Sequence, residues 1–173
     1  MSLQTFKKNE QRMKTGIIIG IFVVIGIIFY ISKNKNGNNP IIQVAKQIQL
    51  AELESVMAQL LDGKLEYEFF GITSDGIDCI YFADDNGKIN IEFEVMTNEQ
   101  KTYVEKITSF ANKNNYNLIK TTYGNKPHYS ELKEAPVYKL ELNADKHKAT
   151  EIGMEIMKTI FNKNGMTKFD VVP

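Results

Sequence analysis

The sequence predicts an α+β domain behind a single membrane-spanning helix. Three observations carry this. Residues 16–32 (GIIIGIFVVIGIIFYIS) pass without a charge. Residues 40–173 alternate helical and strand-like hydrophobic periods, in the order α-βββ-α-ββ-α with a last short strand. The dipeptides Asp75-Gly76 and Asn86-Gly87 separate the first three strand segments and favour tight hairpins. An antiparallel sheet with helices mainly on one face follows.

Residues 1–14 form a basic tail with Lys7, Lys8, Arg12 and Lys14 against Glu10. Residues 15–32 are the predicted transmembrane helix. Its uncharged stretch of 17 residues spans roughly 25 Å as a helix, and Lys14 and Lys33 snorkel to make up the ~30 Å core. Tyr30 stands where aromatic side chains favour the interface. A cleaved signal peptide is the rival, but the run is longer than a usual apolar region and no small-residue cleavage site follows it. More bases precede the span than closely follow it. The N-terminus is therefore expected in the cytoplasm and the domain outside it. Gly16 and Gly20 form a G-x-x-x-G, the spacing that lets two such helices pack closely; ordinary transmembrane glycine is the plainer reading.

Residues 33–39 (KNKNGNN) read as a polar linker reaching at most about 25 Å. The soluble domain is expected over 40–173. Asn39-Pro40 supplies an N-cap and a proline at the first helical position, so a helix is expected over 40–62, stopped by Gly63. Strands are expected over 64–73, 77–83 and 88–96; the stretch KINIEFEV at 88–95 alternates at every position. A helix over 98–114 carries Tyr103, Val104, Ile107, Phe110 and Ala111 on one stripe. Strands over 116–123 and 137–142 flank a loop at 124–136. A helix over 144–164 carries Ala149, Ile152, Ile156 and Ile160, and 169–172 is a last short strand.

The element order over about 40–165 resembles the type III secretion chaperone-like fold, shared by the sensory-transduction-regulator (YbjN-like) family. That resemblance implies a sheet with helices against it and, as one functional option, a tethered chaperone for secreted substrates. The order from Lys88 onward also fits a ferredoxin-like βαββαβ unit with the preceding helix and hairpin as additions.

Lys+Arg and Asp+Glu are 21 each, but residues 1–35 carry +5 and residues 36–173 carry −5. Arg12 is the single arginine, so the domain lacks the basic face that nucleic acid requires. One cysteine and two histidines exclude a disulfide framework and a multi-cysteine metal site, and no sequence feature calls for a cofactor. Asp84-Asp85-Asn86-Gly87 is a turn and not a calcium loop: aligned on Gly87, the outer ligand positions fall on Phe82 and Phe93. Cys79 lies mid-strand, His147 early in a charged helix, and His128 in the 124–136 loop. None has a local signature of an activated nucleophile. The pairs Glu66/Glu68 and Glu92/Glu94 suit acid–base work in principle and a solvated strand face in ordinary practice.

Two-residue turns at 75–76 and 86–87 set a register in which Phe69 faces Phe82 and Phe82 faces Ile91 on the core side, joined by Leu65, Tyr67, Ile80, Ile89, Phe93 and Val95. Phe70, Ile72, Cys79 and Tyr81 then form an apolar patch on the opposite side, flanked by Glu92 and Glu94, and are the candidate partner surface. The expected role is a membrane-anchored, non-catalytic accessory or binding module of a membrane or envelope complex, meeting a protein partner or a second copy. The alternatives are a membrane-tethered small enzyme with its site at the 124–136 loop, or a tethered chaperone-like protein.

Overall fold

A computed structural model describes residues 47–122 and 130–173. The predicted tail, membrane span, linker and start of the first helix lie outside the described residues, as do Gly16, Gly20 and His128. Among the described residues no helix is long and apolar enough to cross a membrane.

The elements in chain order are Gln47–Gln49 (β1), a 3-10 turn Leu50–Glu52, Leu53–Leu61 (α1), Phe69–Thr73 (β2), Ile80–Asp85 (β3), Lys88–Glu94 (β4), Lys101–Lys113 (α2), Asn117–Thr122 (β5), Pro136–Ala144 (β6), Lys146–Thr159 (α3) and Lys168–Val172 (β7). The fold is α+β. Its described strands form one antiparallel sheet of seven, ordered β1-β7-β2-β3-β4-β6-β5. The ferredoxin-like alternative fails, because the β2–β3 hairpin stands between β7 and β4 and β4 pairs β6 antiparallel.

The helix expected over 40–62 is shorter within the described residues. Residues 47–49 are extended, with Ile48 buried between exposed Gln47 and Gln49. Pairing with β7 imposes this, and Gln47 Nε2 donates to Asp170 Oδ1 at 2.9 Å. Strand pairing here overrides the helix preference of glutamine. The later helices fall inside their predicted spans. Asp145 caps α3 by accepting from Lys148 N at 2.8 Å.

One core lies between the sheet and the helices. It joins Leu53, Val56, Met57 and Leu60 of α1, Ile107, Phe110 and Ala111 of α2, and Ala149, Ile152 and Ile156 of α3 with Phe70, Ile72, Ile80, Phe82, Ile91 and Phe93 of the sheet. Phe161, just past α3, packs at a tilt against both Phe93 and Tyr103, tying α2 to the same face. At Gly153 α3 lies close against the Phe82 ring: a Cβ there would stand 2.6 Å from Phe82 Cζ.

Candidate partner-binding face

The orientation of this face depends on two turns. Asn86 and Gly87 take φ of 55° and 83°, as a two-residue type I′ turn needs, and Gly87 N donates to Asp84 Oδ1 at 2.7 Å. Tyr81 accordingly pairs Glu92 and Phe82 pairs Ile91, as the alternation predicts.

The other turn is larger than expected. Asp78 is 1 % exposed. Its Oδ1 accepts from Thr73 Oγ1 at 2.7 Å and Ser74 N at 2.8 Å, and its Oδ2 accepts from Ser74 Oγ at 2.7 Å. Lys163 Nζ lies 3.2 Å from Asp78 Oδ2 and 2.9 Å from Asp75 Oδ2. Asp75 Oδ1 in turn accepts from Ile77 N at 2.9 Å, and Thr73 Oγ1 from Gly76 N at 2.7 Å. These bonds favour a six-residue connection over 74–79 in place of a two-residue turn, with Cys79 just before β3 instead of mid-strand. Burial pushes the Asp78 carboxyl up, but hydrogen bonds from Ser74, Thr73 and Lys163 outweigh it and bring the pKa down to about 2.

The longer loop shifts β2 by one residue against β3. Phe70 faces Phe82 and Ile72 faces Ile80. This corrects the predicted patch: Phe70 is 2 % exposed and Ile72 fully buried, both in the core. Cys79 and Tyr81 do lie on the opposite side, half-buried. Phe69 and Tyr67, expected inside, stand out at 39 % and 47 % exposed.

An aromatic strip results. The Tyr67 and Phe69 ring centroids are 5.6 Å apart, and Phe69 meets Tyr81 edge-on at 6.1 Å. Tyr81 lies across Gly71: a Cβ on Gly71 would be 2.8 Å from Tyr81 Cε1 and 2.7 Å from Val172 Cγ2. A glycine inside a strand marks close approach of this kind, and that was the sequence signal for the strip. Half-buried Glu92, which pairs Tyr81, and half-buried Glu94 border the strip on its β4 side.

The strip runs into a cleft of about 220 Å³ lined by Gly76, Cys79, Tyr81, Glu94, Met96, Thr97 and Gln100. Its floor is braced by the buried Gln100, whose Oε1 accepts from Met96 N at 2.7 Å while Nε2 donates to Ile77 O at 3.3 Å. Burial, with Glu94 and Asp78 nearby, pushes the Cys79 thiol up to about 12 against a smaller opposing effect of Tyr81, so it lines the cleft as a protonated thiol. His147 is exposed on α3, its ring nitrogens 3.4 Å from Glu54 and Glu151. The described part of the predicted loop packs down: Glu131 N donates to Met96 O at 2.9 Å and Leu132 and Ala135 are buried. Among the described residues no group of three or more His, Cys, Asp or Glu is placed to hold a metal ion. Comparison with protein-family models, curated proteins and solved structures finds no match for this chain.

Proposed function

We propose that the chain is a membrane-anchored, non-catalytic binding module whose partner meets the outer face of the sheet. The observation that carries this reading is the aromatic strip Tyr67–Phe69–Tyr81, left on the solvent side of a sheet whose described helices pack on the other side. Exposed apolar area bordered by polar groups is the usual mark of a contact surface. The uncharged run at 16–32 supports the anchor, and the excess of bases before it supports a cytoplasmic N-terminus with the domain outside.

The test is site-specific photo-crosslinking in native membranes. A crosslinker at Phe69 should give discrete adducts, and one at Lys158, exposed on α3, should not. Equal adduct patterns from both positions overturn the reading. Intact mass checks the anchor: a mature chain beginning near Ser32 removes it. Reporter fusions at the C-terminus check orientation, and activity of a cytoplasmic reporter alone reverses it.

A further inference from the structure

We infer that the occupant of this face is a basic, apolar segment of another protein, its aliphatic or aromatic side chains on the strip and one lysine or arginine in the Cys79–Glu94 cleft. The inference rests on the binding-module reading and names the partner's chemistry. Charge is the first argument. Two carboxylates border the strip: Glu92, paired directly with Tyr81, and Glu94 at the cleft. Of the bases on the same side, Lys139 pairs Glu92 across the strands and lies 3.9 Å from Asp85, Lys88 pairs Asp85, and Lys168 stands four residues along β7 from Val172. Glu94 pairs Val137 across the strands, so the cleft is the acidic end of the track, where an anionic lipid headgroup or the Glu94 of a second copy is repelled. A cationic segment is attracted.

Size and chemistry of the cleft give the second argument. At about 220 Å³ it falls below the roughly 300–1,000 Å³ of sites that hold a whole small molecule, and it suits one long side chain. Tyr81 offers a ring to the stem or cation, Met96 an apolar wall, and Glu94 a carboxylate. A carboxylate accepts several hydrogen bonds, so an incoming ammonium or guanidinium adds to the contacts Glu94 already makes. Tyr81 belongs to both strip and cleft, which makes them one continuous track.

The experiment pans a displayed random-heptapeptide library against the full chain in phosphatidylcholine nanodiscs, after depletion on empty nanodiscs. Enriched peptides should combine at least one lysine or arginine with two or more apolar residues. A synthetic peptide of the winning sequence should bind more weakly as salt rises. It should lose about fivefold in affinity on Glu94→Gln and about tenfold on Phe69→Ser, with melting temperatures held. Glu92→Gln serves in place of Glu94→Gln if the latter fails to fold. Enrichment of neutral or acidic peptides that Phe69→Ser still abolishes overturns the basic partner and leaves the binding face standing. No enrichment, or binding indifferent to Phe69→Ser, overturns both. A dimer in sedimentation, or flotation with phosphatidylglycerol vesicles, that Phe69→Ser abolishes assigns the face to a second copy or to lipid and overturns the inference.

Discussion

Asp78→Asn is the perturbation with the most direct reading. The carboxylate is 1 % exposed and accepts from Thr73, both the backbone and hydroxyl of Ser74, and Lys163. Its pKa falls from the ordinary 3.8 to about 2. The charge therefore contributes about 2 kcal/mol to folding at neutral pH. Asparagine keeps the shape and one acceptor but removes the charge. For a domain of this size the variant should melt about 8 °C lower at pH 7. The folded-state pKa is depressed, so the contribution is fully present above about pH 4 and is lost as pH falls towards 2. Melting by circular dichroism from pH 7 to pH 2.5 should give a constant gap between wild type and variant down to about pH 4, then a closing one. A variant within 1 °C of wild type at pH 7, or a gap unchanged at pH 2.5, refutes the role given to this carboxylate.

Three further outcomes follow from the same geometry. Phe70→Ala should cost about 3–5 kcal/mol and Phe69→Ala less than about 1 kcal/mol, a contrast read by urea unfolding of both variants. Gly153→Ala, which in an exposed helix would stabilise, should destabilise by about 1–3 kcal/mol, because the added methyl meets the buried Phe82 ring at 2.6 Å; a higher melting temperature would contradict this approach of α3. At pH 8 the Cys79 thiol should alkylate roughly a thousandfold more slowly in the folded protein than in urea, since so little of it is thiolate, and comparable rates would show that it is not held as described.

What the sequence made legible was local. The strict alternation of KINIEFEV and the Asn86-Gly87 turn are both short-range signals, and β3–β4 pairs in the predicted register. The two later helices and three later strands follow from period and stop signals in the same way. Two features depended on distant partners. Gln47–Gln49 is a strand only because β7, more than a hundred residues later, pairs with it. The Asp75-Gly76 dipeptide resembles a two-residue turn, but Lys163 reaches it from the segment that follows α3. Thr73, Ser74, Asp75 and Asp78 are all residues that bond nearby backbone, so a larger loop had a signal in TSDGID that the single dipeptide outweighed.

The one-residue difference at that loop decides which half of β2 the core receives, and packing favours the same answer as the hydrogen bonds. In the two-residue-turn register the residues directed inward are Phe69, Gly71 and Thr73; in the observed one they are Phe70 and Ile72. The aromatic ring is the same in either case. The difference lies in the next position, where the core holds the fully buried Ile72 and would otherwise meet Gly71. Burying an isoleucine is worth about 2–3 kcal/mol, and a glycine facing inward leaves its volume empty. Turned outward, Gly71 instead admits Tyr81 and Val172 over the strand backbone, where any Cβ would clash. The alternation F-F-G-I-T thus carries its own preference: isoleucine inward fills the core, and glycine outward lets Tyr81 lie across the strand and meet Phe69 edge-on. The aromatic strip is the outer consequence of filling the inner face, and Asp78 holds the loop that both require.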